Sequence, residues 1–228
     1  PNGLAEIIQA AEQWPNSTSL QWIWGDEIMA YGVMEFENIN TDAILEYIER
    51  KVPSSSCLEI KEIHGLNNIP SFSLPKQNKH IIGRYHSEVL GLLGPSWGKL
   101  SLPIIKSLAK LIIERPDPRC YLAAQQLGGV VSNINRETTS FIHRQAMWKP
   151  WITAAWPAEE EHKRKLSLDW LEKLWIQLAP NCPGIHLAQI HSHLSWHKNE
   201  TSAAFQEWLP GLKQLKSRFD PNGHLPSL

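Results

Sequence analysis

The chain has 228 residues, of which 42% are hydrophobic and 20% charged, and its formal net charge is −1. This length allows one large domain or two small ones, and the composition is ordinary for a globular protein. A net charge near zero argues against nucleic acid and against anionic membranes as partners, because both require a basic excess. No apolar run approaches the length that spans a bilayer.

The cysteines and the first residues of the chain are the features that predict the cellular compartment. Cys57, Cys120 and Cys182 are odd in number and far apart, so the sequence predicts no disulfide framework. No charged and then apolar leader opens the chain, which predicts that it is not exported. We therefore expect a cytoplasmic location.

Hydrophobic periodicity predicts helices and strands in a mixed order. Helices are predicted at 3–13, after Asn40, from Pro103 to before Pro116, from Pro157 to about Leu178, and at 201–218 with a break at Pro210. Extended segments are predicted at 20–24, 28–36, 57–63, 80–88, twice within 121–144, at 147–156 and at 184–193, with a long loop at 65–79.

Strands and helices do not alternate strictly, which favours the α+β class. The sequence predicts an antiparallel sheet of about six or seven strands with helices packed mainly on one side. We expect one domain over residues 1–228, with residues 200–228 as a C-terminal tail.

The stretch 121–144 is predicted to be a strand, a tight turn at Gly128 and Gly129, and a second strand that ends in His143 and Arg144. Gln125 lies at the end of the first strand. Neighbours on a strand point to opposite faces, so only one of His143 and Arg144 can enter a pocket. An arginine there suits an anionic substrate, and a salt bridge to Glu137 is the alternative.

Four histidines surround the last predicted strand, at positions 186, 191, 193 and 197. On a strand, His191 and His193 share one face, with Gln189 beside them. A metal site requires at least a third ligand, and no cysteine or carboxylate lies at supporting spacing, so no metal site is predicted. The histidines are either a polar strand end or the lining of a pocket.

Several motifs in order carry a family resemblance. The segments 127–130 and 138–144 resemble the Gly-Gly-Ala … Thr-Ala-Phe-x-His-Arg signature of FAD-linked oxidoreductases of the berberine-bridge-enzyme type. The segments 86–88, 118–120 and 215–225 follow in the same order as in that family. The resemblance implies the C-terminal part of such an enzyme, with a substrate domain whose open sheet face meets a flavin domain.

The resemblance also implies where the cofactor is held. In the family an N-terminal domain holds FAD, and this chain has neither a Gly-x-Gly-x-x-Gly motif after a strand nor a phosphate-cradling loop. We expect FAD in the complete enzyme, none bound to this chain alone, and no cofactor-binding residue here. The expected partners are a flavin-binding domain or chain and a small-molecule substrate.

The family commonly carries a Tyr-x-Asn-Tyr-like pattern on the last strand, and this chain has no tyrosine there. A histidine is therefore our candidate for the base, His191 first and His186 second. The remaining candidates are assigned to substrate binding: His143, Arg144, Gln125, Gln189 and His193.

Two main functions remain open on the sequence, and a histidine-based metal protein is a weaker third. The first is the substrate-binding portion of an enzyme that oxidises a small organic substrate by hydride transfer to flavin, inactive as this chain alone. The second is a standalone, non-catalytic binding or assembly module that uses the open sheet face, with a homodimer through that face as one form. In either case the stripe Leu212, Leu215 and Phe219 is expected to be an exposed apolar patch.

Overall fold

The computed structural model describes residues 1–35, 41–52, 57–68, 83–225 and 228. The elements run in the order α1 (Asn2–Ala11), β1 (Thr18–Trp24), β2 (Ile28–Met34), α2 (Thr41–Lys51), β3 (Tyr85–Leu93), α3 (Ser101–Ile113), β4 (Tyr121–Gln126), β5 (Trp148–Pro157), α4 (Glu161–Leu178), β6 (Gly184–Ile185), α5 (His197–Phe205) and α6 (Leu209–Phe219). Short 3₁₀ helices lie at Leu66–Asn68, Gly98–Leu100, Gly129–Asn133, Arg136–Thr138, Leu187–Gln189 and Gln206–Trp208.

The strands form one six-stranded sheet in the order β2-β1-β4-β5-β3-β6, and all its pairings are antiparallel. β5 is central and pairs with β4 through Tyr121 opposite Thr153 and with β3 through Gly91 opposite Trp151. The predicted α+β class and antiparallel sheet are confirmed.

The core lies between the sheet and the helices α1, α3 and α4. Alternate strand residues enter it, including Trp22, Leu122 and Ile152, which are all almost fully buried. They meet helix residues such as Ile105 and Leu171, which are equally buried. Burying such side chains contributes about 1.5–3 kcal/mol each, so this helix side supplies most of the stability.

We call the opposite side of the sheet the front face. Strand alternation and register place these residues on it: Gln21 and Ile23 of β1, Tyr121, Ala123 and Gln125 of β4, Lys149, Trp151 and Thr153 of β5, and Val89 and Gly91 of β3. Its rows mix polar and aromatic side chains, whereas the centre of the helix side is the apolar core.

A carboxylate ties the first helix to the sheet. Glu12 follows α1 and accepts hydrogen bonds from the indole Nε1 of Trp148 at 2.6 Å and from the backbone N–H groups of Trp97 and Gly98 at 2.6 and 2.8 Å. Gln126 adds a second tie, because its amide donates to the Ala11 carbonyl at 2.7 Å. Gln126 is therefore a structural amide on the helix side, unlike Gln125.

The second strand predicted within 121–144 is absent. After β4, Gly128 and Gly129 adopt positive φ angles of 94° and 59°, and the chain continues into two 3₁₀ helices. Asn135 caps the second by accepting a hydrogen bond from the Glu137 N–H at 3.0 Å. The prediction failed because polar side chains here bond to the local backbone, and β4 finds its partner in β5 instead.

Two other strand predictions are also wrong. Residues 57–63 have no regular structure. The last strand is only β6, since the chain turns into the 3₁₀ helix at Leu187–Gln189 immediately after it. The predicted cap Asn40, residues 69–79 of the predicted loop and residues 80–82 of the predicted extended segment lie outside the described residues.

Of the predicted apolar stripe in the tail, Leu215 and Phe219 are exposed, whereas Leu212 is half-buried. α5 ends at Phe205 and α6 begins at Leu209 with Pro210 in its first turn, so the break at Pro210 is confirmed. Leu215 and Phe219 are 52% and 72% exposed. Asp220 begins a turn closed by the Gly223 N–H at 3.2 Å. None of the described helices is sufficiently long and apolar to cross a membrane.

Candidate functional site

A group of polar side chains gathers on the front face beside β3. A Cβ atom at Gly91 would lie 1.8 Å from Oε1 of Gln189 and 3.2 Å from Cβ of His186. The missing side chain of Gly91 therefore leaves the space that Gln189 occupies. We call Lys149, Trp151, His186 and Gln189, with Gly91 beneath them, the front-face group.

Two members of this group present polar atoms without a partner. His186 Nδ1 and Gln189 Oε1 are buried, and neither forms a hydrogen bond of good geometry among the described residues, although the Gln189 side chain lies close enough to the His186 ring to raise its pKa. Thr153 Oγ1, farther along β5, is also buried without a hydrogen-bond partner among the described residues. Buried polar atoms are normally satisfied, so the three on this face are candidates to contact another molecule. Such atoms also occur in the core, at the indole nitrogens of Trp22, Trp97 and Trp156.

The charge state of His186 follows from its surroundings. Burial lowers the pKa of His186, and the positive charge of Lys149 lowers it further. The imidazole is therefore neutral near pH 7, with one nitrogen free to accept a proton. A neutral imidazole on a ligand-facing surface can serve as a general base.

The sequence reasoning missed Lys149 and Trp151. Lys149 is half-buried, pairs across the sheet with Gln125, and places its Nζ 6.0 Å from the centre of the Trp151 ring. Burial lowers the pKa of Lys149. Strand alternation could have identified both residues. In the predicted strand 147–156, Trp148 and Ile152 lie in the core, so the odd-numbered residues lie on the other face.

His191 lies elsewhere, at the edge of the sheet between two carboxylates. Its Nδ1 bonds to Oε1 of Glu200 at 2.6 Å, and its Nε2 lies 3.3 Å from Oε2 of Glu88. Glu200 is fully buried and also accepts from the His191 backbone N–H at 2.8 Å and from the Trp196 indole at 3.2 Å. We call Glu88, His191, His193 and Glu200 the edge cluster.

The edge cluster is on the helix side. Glu88 lies opposite Ala154, a core residue, and Trp196 packs edge-on against Trp175 of α4 with ring centres 6.2 Å apart. His191 and His193 lie together, as expected, with ring centres 6.0 Å apart, but Gln189 lies apart from them on the front face, because no strand continues beyond Ile185. His193 bonds to Oε1 of Glu88 at 2.9 Å and is exposed. Among the described residues no group of three or more acidic, His or Cys side chains is placed to hold a metal ion.

His143 and Arg144 are used locally. The His143 Nε2 donates to the Ala204 carbonyl at 2.9 Å, and its ring fills the space above Gly184, where a Cβ would lie 2.6 Å away. Burial lowers the pKa of His143. Arg144 donates to Oγ1 of Thr139 at 3.2 Å and stacks over Phe141. In the described ranges it makes no ion pair with Glu137, the partner that the sequence had suggested.

Of the predicted site residues, the structure thus brings only His186, Gln189 and Gln125 to the front face. His191 and His193 form the edge cluster, and His143 and Arg144 bind neighbouring residues. Gln125 is half-buried beside Lys149.

Comparison with known proteins gives matches only at the level of structure. No protein-family model matches the sequence, and no curated protein matches it. BBE-like 1 from Physcomitrella patens superposes with a TM-score of 0.67 at 12% identity, covering 97% of this chain and 48% of that chain. A berberine bridge enzyme variant in complex with (S)-reticuline gives 0.65 at 15% identity, with 97% and 49% covered.

BBE-like #28 from Arabidopsis thaliana gives a TM-score of 0.62 at 13% identity, covering 96% of this chain and 52% of that chain. At these identities the likeness is one of fold. The chain spans about half the length of each of these proteins. It therefore has the fold of a partial berberine bridge enzyme-like domain.

Proposed function

We propose that this chain is the substrate-binding portion of an FAD-dependent oxidoreductase, and that its front-face group contacts the substrate. The observation that carries the proposal is the set of buried, unpartnered polar atoms on the front face, His186 Nδ1, Gln189 Oε1 and Thr153 Oγ1. The half-length structural match to berberine bridge enzyme and BBE-like proteins supports it.

The front face fits the ring end of FAD but not the rest of the dinucleotide. Its orphaned polar atoms and the half-buried ring of Trp151 suit a flat, polar molecule. Neither Gly128 nor Gly129 opens an α-helix that could hold a pyrophosphate, since a 3₁₀ helix follows them. The phosphates would be bound by a separate flavin-binding domain or chain.

Bound FAD would supply the hydride acceptor. His186 takes the proton that leaves the substrate, because its imidazole is neutral near pH 7 and carries an unpartnered Nδ1. Gln189 orients the substrate through its free amide oxygen, which can accept a hydrogen bond from a hydroxyl or amine. The base is therefore His186 in this proposal, since His191 is held by Glu200 on the helix side.

The proposal is tested on the full-length product of the reading frame that contains this chain. We expect FAD to co-elute with that product on gel filtration, and none to co-elute with residues 1–228 alone. A panel of small alcohols and amines is then screened for anaerobic bleaching of the flavin absorbance. A stable yellow complex of residues 1–228, or a full-length product without flavin, contradicts the proposal.

The role of His186 has its own test. His186→Ala should slow flavin bleaching by about 100-fold, the lower range for loss of a general base. In the unsubstituted protein the rate should rise with pH through an apparent pKa below about 6.5, because the pKa of His186 is lowered. His162→Ala is the matched control, since His162 is exposed on α4. Equal rates in the two variants would remove His186 from the mechanism.

The exposed stripe of α6 favours a second candidate, a non-catalytic assembly module. Leu215 and Phe219 are exposed on a helix without a single buried residue. Apolar stripes of this kind mark contact surfaces. A dimer of residues 1–228 by light scattering that dissociates on Phe219→Asp, together with a full-length product free of flavin, would support this candidate.

A further inference from the structure

We propose that Lys149 selects an organic anion, so that the molecule bound at the front-face group is a flat organic acid whose carboxylate meets the Lys149 ammonium. This inference rests on the proposed substrate-binding role of the front face and adds the chemical class of the ligand.

The first observation is an ammonium without a counter-ion. In the described ranges no carboxylate lies near enough to Lys149 to raise the pKa of its ammonium, and its Nζ lies 6.0 Å from the centre of the Trp151 ring. Of the chain's 23 acidic residues only Glu37 lies outside those ranges. Removing a charged group from water without a charged partner is costly, and partial burial lowers the pKa of Lys149.

Two other buried charged side chains of this chain have hydrogen-bond partners within it. Arg119 is held by both carboxylate oxygens of Asp117 at 2.7 and 2.8 Å, and Glu200 accepts three hydrogen bonds. Lys149 differs from these two residues, since it has neither a salt bridge nor a side-chain hydrogen bond among the described residues, and Arg144, which also lacks a salt bridge, donates to Thr139. An anion from outside the chain would give Lys149 the missing partner.

The surroundings of Lys149 define the rest of the ligand. Trp151 follows two residues later on the same face, between Gly91 and Ala123, whose side chains are a hydrogen and a methyl group. The indole is therefore the main apolar surface beside the ammonium, and it suits a flat ring. Gln125 and His186 flank Lys149 and offer further hydrogen bonds.

The test compares a charged probe with a neutral one of similar shape. Benzoate and benzyl alcohol are titrated into residues 1–228 and into the full-length product at low salt, and binding is followed by tryptophan fluorescence and calorimetry. We expect benzoate to bind at least about 10-fold more tightly, since a partly buried ion pair contributes more than an exposed one. Equal affinities, or no binding of benzoate to either protein, overturn the inference.

Variants assign the preference to Lys149. Lys149→Met should reduce the preference for benzoate to within about 2-fold, and Lys149→Arg should retain most of it, because a guanidinium also binds carboxylates. Lys106→Met, an exposed position on α3, is the matched control and should change nothing. If Lys149→Met keeps the preference while its near-UV circular dichroism is native, the inference is wrong. An arginine variant that folds but loses the preference also contradicts it.

The ammonium could instead face an anionic flavin. In that case Lys149→Met lowers the flavin content of the full-length product and leaves benzoate affinity unchanged, which overturns the inference. The two proposals fail separately. A flavin-containing product that binds both probes equally removes only the inference about Lys149. A product without flavin that still binds benzoate through Lys149 removes only the oxidoreductase function.

Discussion

The front-face group and the edge cluster both contain histidines, yet the hydrogen bonding of those histidines is opposite. In the edge cluster each carboxylate has histidine partners, and Glu200 has no exposed surface. In the front-face group His186 and Gln189 keep buried atoms without partners. Buried polar groups whose hydrogen bonds are all formed within the chain stabilise the fold, whereas those without a partner are candidates to bind a ligand. The comparison therefore separates side chains that hold the structure from those that serve function.

The edge cluster should give the largest loss of stability. Glu200→Ala removes the acceptor of three donors and leaves His191 and the Trp196 indole buried without it. We expect the free energy of unfolding to fall by about 3–5 kcal/mol, as when one partner of a buried pair is removed. Urea denaturation measures it. His193→Ala, at an exposed position, should cost less than about 1 kcal/mol. Comparable losses in both variants would refute the structural role of Glu200.

Asp117 and Arg119 give a second saturated pair, with a smaller expected effect. Asp117→Asn weakens three hydrogen bonds from Arg119, which also stacks on Tyr85, and should cost about 3 kcal/mol at pH 7. Asp169→Asn, in the exposed pair with Lys165, is the control and should cost below about 1 kcal/mol.

The pH dependence of this pair has a definite sign. Burial alone would raise the pKa of Asp117, but the hydrogen bonds from Arg119 outweigh it and hold that pKa below the ordinary value. The stabilisation is therefore complete above the unfolded pKa of about 3.9 and is lost as the pH falls through the lower folded value. The stability difference between Asp117→Asn and the unsubstituted chain should shrink below about pH 4. A difference that stays constant down to pH 2 would show that the charge is unimportant.

The smallest effect on stability is expected on the front face. Gly91→Ala places a methyl group where Oε1 of Gln189 lies, and the end of this flexible side chain can move aside. We expect a loss below about 1 kcal/mol, within the ordinary range for single substitutions, together with about 10-fold weaker benzoate binding. Gly94→Ala is the contrasting variant, because its Cβ would lie 2.5 Å from the Asn181 carbonyl oxygen and 2.8 Å from the Cα of Cys182, and it should destabilise strongly. If Gly91→Ala binds benzoate normally, the position of Gln189 is irrelevant to the site.

Local patterns in the sequence were enough for much of the fold. The periodic spacing of Ile104, Ile105 and Leu108 predicted α3, and the alternation of Leu20, Trp22 and Trp24 predicted β1. Pro210 predicted the break between α5 and α6. These signals lie within a few residues of the structure they determine, which is why they could be read without coordinates.

The candidate site was less predictable, because its contacts join distant segments. Glu88 and His191 are more than 100 residues apart, and no periodicity signals their contact. Gln189 reached the front face through a 3₁₀ turn where a strand was predicted. The need for glycine at position 91 follows from the Gln189 side chain, which occupies the space that a Cβ atom would take. Sequence patterns thus identified His186 and Gln189 as candidates but did not show which residues surround them.

The hydrogen bonds of Glu12 also decide how this protein can be shortened. A deletion of residues 1–12 would leave the Trp148 indole on β5 and two backbone amides after β3, at Trp97 and Gly98, without their acceptor. It would also strip Ile8, which has no exposed surface, from the core. Helix α1 is therefore part of the buried interior. We expect deletions at the N-terminus of this chain to destabilise the fold.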